Sequence, residues 1–431
     1  MKKLTAILLA LALVSCAKTD DIAAGLETYR EVYDAGAVSA GTAPETRVNG
    51  IVSPELMMNG GKYYFELSRY GSYPSGGGIA TGSIYMLAYA DAGSGNWGYA
   101  CADPLCSHDN EEVCRYAGLR EFCFTDTLGT AYAYRYSHPH SMICLVDLSA
   151  DTVKTVYTTD ILSTYLIGFD GGKLYFLERI HATDDRQTEV KTRFSAIDHR
   201  TGEVTEVAYL PETWQYPMTA PEMVVDGHFY FRTGSKVVRT DLHFTEITEI
   251  IETEFGISEM YLDQNTGELY VSSIDRTLRK GSLYRYSDGK TEKLTLPHED
   301  IFTFILTEDR IYYTVFDPVY YGVSVAAQYM KGTDGYDPDR YAIYDYAGGR
   351  MYAVDRDNLT GDAELVCEFS GIGNGYMPNF YGAAVVGNCL YFSEYRLATE
   401  VVGGTEYMTT TDVNKIRMGL DDGTFTRIAF E

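Results

Sequence analysis

A chain of 431 residues with 45% apolar and 13% aromatic residues carries enough apolar surface for a large core. Its formal charge of −26 repels phosphate backbones and anionic headgroups, which argues against nucleic acid as a partner and favours cationic or neutral ligands, or simple solvation of an acidic exterior. The 41 Gly and 38 Tyr suit tight turns and half-buried strands.

Met1-Lys2-Lys3 precedes an apolar run, Leu4 to Val14, that is too short to span a bilayer. Leu13-Val14-Ser15-Cys16 then resembles the bacterial lipobox, in which the Cys is diacylated and becomes the new N-terminus. Residues 1–15 are therefore expected to be a lipoprotein signal peptide. Cys16 is the expected lipidation site, holding an extracytoplasmic chain on a membrane surface. An ordinary secretory signal with an incidental Cys is the alternative. Residues 16–50, rich in Ala, Gly, Thr and acids, read as an acidic flexible tether. No later stretch approaches eighteen apolar residues.

From residue 51 onward one phrase returns: a turn, usually with Gly, then an aromatic–apolar strand. It reads Gly60-Gly61-Lys62-Tyr63-Tyr64-Phe65, Gly171-Gly172-Lys173-Leu174-Tyr175-Phe176 and Asp226-Gly227-His228-Phe229-Tyr230-Phe231. Looser copies begin at Gly129, Gly267, Asp309 and Gly387. Each copy is preceded by an apolar run, such as Glu222 to Val225, and followed by a second strand with its own turn, such as Arg193 to Asp198 before Thr201-Gly202. The repeating unit is four short strands, and helical periodicity is nearly absent. Seven such units predict an all-β fold, a β-propeller of four-stranded antiparallel blades over residues 51–431, since a single blade cannot bury both faces. The predicted blades are 54–101, 121–158, 164–210, 222–252, 258–296, 301–370 and 381–430. Six or eight blades are the alternatives.

The recurring Tyr-Phe strand resembles that of the TolB-like propeller lipoproteins of bacteria. The resemblance covers about residues 54 to 431 and implies the fold and an envelope location, but no activity. Repeating Trp-Asp pairs, sialidase boxes and the partner residues of kelch repeats are missing.

Insertions in the second-to-third-strand (B–C) and blade-to-blade (D–A) connections are the functional candidates, because these share one face of a propeller. The first, 101–120, holds Cys101, Cys106, His108 and Cys114. Three Cys and a His have the ligand types of a structural zinc site, although C-x4-C-x-H-x5-C is no standard finger. A disulfide, for instance Cys106 with Cys114 or Cys101, is the competing reading. Besides Cys16 there are seven Cys, so at least one stays outside disulfides. A Cys-x-Asp-Pro-x-Cys-x-His segment is a feature of unknown role in the family that the chain resembles. The second, Ser137-His138-Pro139-His140, reads as a polar turn before a chelate. The third is the Tyr-rich stretch 317–349. Its candidate ligand-binding residues are Tyr320, Tyr321, Tyr329, Tyr336, Asp337, Asp339 and Tyr341, suited to sugar rings or a cationic peptide. A lid packed on its own Tyr residues is the alternative. The Gly-rich loop Pro74 to Gly78 lacks Gly-Lys-Ser/Thr, which argues against phosphate.

No Gly-x-Ser-x-Gly, His-Glu-x-x-His or dinucleotide fingerprint occurs, and no catalytic residue is assigned. Asp355 to Asp362 looks like a calcium loop, but Leu359 replaces an oxygen ligand and a strand-connecting turn is expected. The chain is expected to be a monomeric, lipid-anchored binding or scaffolding module for a protein, peptide or glycan of the cell envelope. A polysaccharide-acting hydrolase or lyase is the alternative, which convergent acids at the propeller centre would favour.

Overall fold

In the computed structural model the described residues are 51–53, 57–75, 78–91, 96–101, 103, 106, 114–137, 140–161, 163–181, 189–216, 220–275, 280–323, 342–370, 376–402, 405–420 and 424–428. The expectations for the signal peptide, Cys16 and the tether lie outside them.

The fold is a seven-bladed β-propeller, each blade a four-stranded antiparallel sheet in chain order. A short strand β1 (Ile51–Val52) comes first. Blade 1 is β2 (Met57–Asn59), β3 (Lys62–Ser75), β4 (Gly78–Asp91) and β5 (Trp97–Tyr99). Blade 2 is β6 (Leu119–Phe124), β7 (Thr130–Ser137), β8 (His140–Asp147) and β9 (Thr152–Thr159). Blade 3 is β10 (Thr164–Asp170), β11 (Lys173–His181), β12 (Glu189–Asp198) and β13 (Val204–Tyr209). Blade 4 is β14 (Met223–Val225), β15 (His228–Thr233), β16 (Lys236–Asp241) and β17 (Ile247–Glu252). Blade 5 is β18 (Gly256–Asp263), β19 (Glu268–Asp275), β20 (Lys280–Ser287) and β21 (Lys290–Lys293). Blade 6 is β22 (Ile301–Leu306), β23 (Arg310–Val323), β24 (Ala342–Asp355) and β25 (Glu364–Ser370). Blade 7 is β26 (Tyr376–Val386), β27 (Cys389–Val402), β28 (Thr405–Gly419) and β29 (Phe425–Ile428). No helix occurs among the described residues.

Every copy of the Tyr phrase forms the second strand of a blade, and the turn before it is the first hairpin. In blade 3 Gly171 and Gly172 sit at φ 56° and 77°; in blade 4 Asp226 and Gly227 sit at 50° and 71°. Two successive left-handed residues are what a two-residue hairpin matched to strand twist requires.

The rings of the phrase fill the seams between blades. Seven apolar clusters serve the seven seams, and blades 3 and 4 meet through Tyr175, Leu177, Phe194, Phe229, Phe231 and Phe244. Within that seam the Phe194 and Phe229 centroids are 5.2 Å apart and tilted. Burial of this kind contributes roughly 25 cal/mol per Å² of apolar surface. The first strands β2, β6, β10 and β14 neighbour one another in turn, as do β18, β22 and β26, so the first strand is innermost.

Each blade is built from its own four consecutive strands, and among the described residues no strand is exchanged where the ring closes. Blade 7 meets blade 1 by packing: Met58, Tyr63, Phe65 and Leu67 lie against Ala384, Val386, Tyr391 and Ile428. The Tyr63 hydroxyl donates to the Gly382 carbonyl across this seam at 3.0 Å. Strand β1 adds to the inner edge of β18, making blade 5 five-stranded.

Candidate functional site

The cysteine segment begins where blade 1 runs short. Strand β5 has only three residues, paired with Ala88 to Ala90. The chain then turns inward, with Ala100 N–H bonding to the Leu87 carbonyl at 2.9 Å and Cys106 N–H to the Asp103 carbonyl at 3.1 Å. Cys101, Cys106 and Cys114 are all buried in the blade 1–blade 2 seam, among Tyr64, Leu87, Phe122 and Phe124. Their sulfur atoms all lie within 4.8 Å of one another. The hydrogen bond between Cys101 and Cys114 and then burial push the Cys101 thiol far above the ordinary range, while the Asp103 N–H acts against them. This trio could hold a metal ion. His108 lies outside the described residues.

The segment is anchored at its far end by polar contacts. The Tyr116 hydroxyl donates to Asp151 Oδ1 at 2.9 Å, and Arg115 Nη1 lies 3.4 Å from Asp151 Oδ2. Arg135 Nη2 donates to the carbonyls of Arg115 at 2.5 Å and Ala117 at 3.3 Å. Asp151 belongs to the β8–β9 turn, at the opposite end of blade 2 from the β7–β8 turn. Cys114, Tyr116 and Ala117 therefore lie along the seam in which Cys101 and Cys106 are buried.

A second group, not anticipated from the sequence, consists of carboxylates at the inner ends of seams. Glu121 sits in a bulge of β6 at φ 54°, and its N–H donates to Glu66 Oε1 at 3.0 Å. Glu121 Oε2 in turn accepts the Leu166 N–H of blade 3 at 3.4 Å. Glu259 Oε2 accepts the Phe304 N–H of blade 6 at 3.0 Å. Glu178, fully buried, takes Tyr157 Oη at 2.9 Å and Arg193 Nη2 at 2.6 Å. Burial pushes the Glu66 carboxyl up to about 7, opposed by the Glu121 N–H; the Glu121 charge adds to the rise and Arg120 opposes it. Burial likewise raises Glu121. A carboxyl near 7 has the protonation behaviour of a general acid or base. Glu66, Glu121 and Glu259, however, each accept a backbone N–H of the next blade, which is a framework role. The sequence signal was present: Phe65-Glu66 and Leu177-Glu178 put an acid at the end of an aromatic–apolar strand phrase.

The third feature is a one-sided wall of hairpins. The hairpins β3–β4, β23–β24 and β27–β28 have strands of 14 or 15 residues, against six in blade 4 and eight in blades 2 and 5. They belong to consecutive blades 6, 7 and 1, and β28 neighbours both β23 and β3. The expected insertion 317–349 is thus largely strand at its ends: Pro318 pairs with Tyr346, Val319 with Asp345 and Tyr320 with Tyr344. Tyr320 and Tyr321 lie on β23, whereas Tyr329, Tyr336, Asp337, Asp339 and Tyr341 are outside the described residues. The Gly-rich stretch 74–78 forms the end of the blade 1 hairpin, with Ser75 paired to Gly78. Near the end of the blade 7 hairpin Val401 is 64% exposed, the largest value among the exposed large apolar residues described. His140 Nδ1 lies at hydrogen-bond distance, 2.7 Å, from Asp160 Oδ1; His138 is outside the described residues.

No family model matches the chain, and no curated protein matches it. Among solved structures the chain is similar to the β-propeller domain of the Trilobed protease from Pyrococcus furiosus, which has an open velcro topology. The identity is 10% with a TM-score of 0.44, over 90% of this chain and 96% of that one. It is similar to Pyrococcus horikoshii acylaminoacyl peptidase at 12% identity and a TM-score of 0.45, over 90% of this chain and 51% of the peptidase, so it spans about half the peptidase's length. It is also similar to TolB from Acinetobacter baumannii at 11% identity and a TM-score of 0.34, over 84% of this chain and 79% of TolB. These are likenesses of fold.

Proposed function

We propose that this propeller is a monomeric binding or scaffolding module that takes a protein, peptide or glycan of the cell envelope on its hairpin wall. In this reading Cys16 carries the lipid that anchors it, extracytoplasmically, to a membrane. The observation that carries the reading is the contiguity of the three long hairpins from blades 6, 7 and 1, which raise one sector of one face. Their strands are rich in Tyr, including Tyr70, Tyr73, Tyr320, Tyr321, Tyr344, Tyr346, Tyr395 and Tyr407. Tyr gives large, rigid contact area with a polar handle, and acids such as Asp345 and Glu400 add attraction for cationic groups. A structural zinc at the cysteine trio is the cofactor of this reading.

The test is capture of envelope proteins and glycans by the intact chain and by a chain lacking residues 318–347. Phe316 pairs with Gly349, so the deletion leaves Asp317-Gly348 as a two-residue turn of the kind hairpins favour. Loss of specific capture with unchanged thermal stability is the expected result. Equal capture by both chains would remove the blade 6 hairpin from the binding surface.

A polysaccharide-acting enzyme is the second reading, favoured by the raised carboxyl of Glu66 beside Glu121. It requires turnover that Glu66→Gln abolishes while the fold persists.

A further inference from the structure

We infer that Cys101, Cys106 and Cys114 form a thiolate-rich site for a soft d10 divalent ion, zinc foremost, that staples blade 1 to blade 2. Two observations carry this. First, the three sulfur atoms lie within 4.8 Å of one another although their residues are spread over the segment from 101 to 114. A tetrahedral ion with Zn–S bonds of about 2.3 Å sets its sulfurs about 3.8 Å apart, so metal binding needs only a small contraction. Second, all three side chains are buried in one apolar seam, with exposures of 3%, 8% and 1%. A disulfide would use two of them and leave the third thiol held against it, poised for exchange. A metal ion uses all three.

The location shows what such an ion would do. Cys101 follows the three-residue strand β5, and Cys114 precedes β6 by one turn, where Ala117 N–H bonds to the Cys114 carbonyl at 3.0 Å. Bonds from the ion to both ends of the segment tie the outer edge of blade 1 to the inner strand of blade 2. Three protein thiolates leave one tetrahedral position for a further donor. Binding releases a proton from each thiol that enters as thiolate, and no oxidant or reductant is involved.

The inference rests on the structural-zinc part of the reading above and is independent of the hairpin wall. The experiment is metal analysis of the whole chain purified anaerobically with zinc present, together with cobalt(II) substitution. The expected result is about one zinc per chain and a cobalt spectrum with thiolate charge-transfer bands. Cys106→Ser should lose the metal, whereas Cys367→Ser, on blade 6, should keep it. Chelation should raise the number of fast-reacting thiols in the unmodified chain by three and lower its melting temperature. That measurement needs no variant, so it stands even where Cys106→Ser fails to fold. Metal well below stoichiometric amounts, or a disulfide within the trio in the freshly isolated chain, would overturn the inference. A chain lacking residues 318–347 should retain its metal whether or not it binds an envelope ligand, which separates the two claims.

Discussion

Ile51 stands opposite Asp263 on the inner edge of blade 5, and this pairing straps the start of the propeller across its own centre. Strand β2, only a few residues later, belongs to blade 1, so the segment from Ile51 to Met57 bridges blades 5 and 1. Asp263 ends β18 just before the first hairpin of blade 5, and Ile51 precedes Val52, which pairs with Leu262. The chain therefore enters the ring at the end that carries the first-hairpin turns, opposite the tips of the long hairpins.

The strap should contribute to stability, because among the described residues no strand is exchanged between blades 7 and 1. Ile51 is 1% exposed and packs in the blade 5–blade 6 seam with Tyr261, Tyr270 and Phe304. Ile51→Ala should cost about 2–4 kcal/mol in urea unfolding, the range for buried Ile truncations. A cost below about 0.5 kcal/mol would mean that the pairing does not matter to the ring.

Arg356 binds the same place from blade 6. Its Nη2 donates to Asp263 Oδ2 at 2.7 Å, and the Arg and Asp side chains are 9% and 4% exposed. Removing one partner of a buried pair leaves an uncompensated charge, so Arg356→Met should destabilise by about 3 kcal/mol. The double variant Arg356→Met with Asp263→Asn should recover part of that loss.

Glu66 gives a pH dependence of defined sign. Its carboxyl titrates at about 7 in the folded chain, against 4.5 ordinarily, so the folded state holds the proton more tightly. Stability should then fall as pH rises from about 4.5 to about 7, and Glu66→Gln should flatten that part of the profile. Thermal melts at intervals between pH 4.5 and 7.5 check this, and an identical slope in both chains would contradict it.

Lys415 has the opposite dependence. It is buried in the blade 7–blade 1 seam, 5.6 Å from the centroids of both Tyr63 and Phe65, and burial lowers its pKa to about 8. The unfolded chain binds the proton more tightly, so stability should rise between about pH 8 and 10.5. Lys415→Met should be more stable at pH 7, by up to roughly 3 kcal/mol less the lost cation–π attraction. Melting temperatures at pH 7 and 10 for both chains decide it.

The framework was legible because each Tyr phrase carries both a turn and a strand. Lys62, Lys173 and His228 each begin a second strand, and the blade 6 limits of 301 and 370 coincide with Ile301 and Ser370. Less was legible where strands leave the packed ring. Residues of β28 such as Thr409, Thr410, Thr411 and Asp412 show no apolar alternation, because beyond the seams neither face of the hairpin has to be apolar. Gly78 and Gly82 hid β4 in the same way. That Arg115 and Tyr116 reach Asp151 depends on a tertiary contact that spacing does not encode. For Glu66 the sequence offers only an acid after an aromatic strand phrase, and for Glu121 not even that, since a carboxylate that accepts a neighbouring blade's N–H looks like any surface acid in sequence.

The central claim is that the hairpin wall is the surface that meets the envelope partner. It is tested most directly by placing a photo-crosslinking residue, in cells, at Val401, at Tyr320 and at Glu203, which lies in a turn at the opposite end of blade 3. Adducts to an envelope component are expected from Val401 and Tyr320 and none from Glu203. Adducts from Glu203 with none from the two hairpin positions would contradict it.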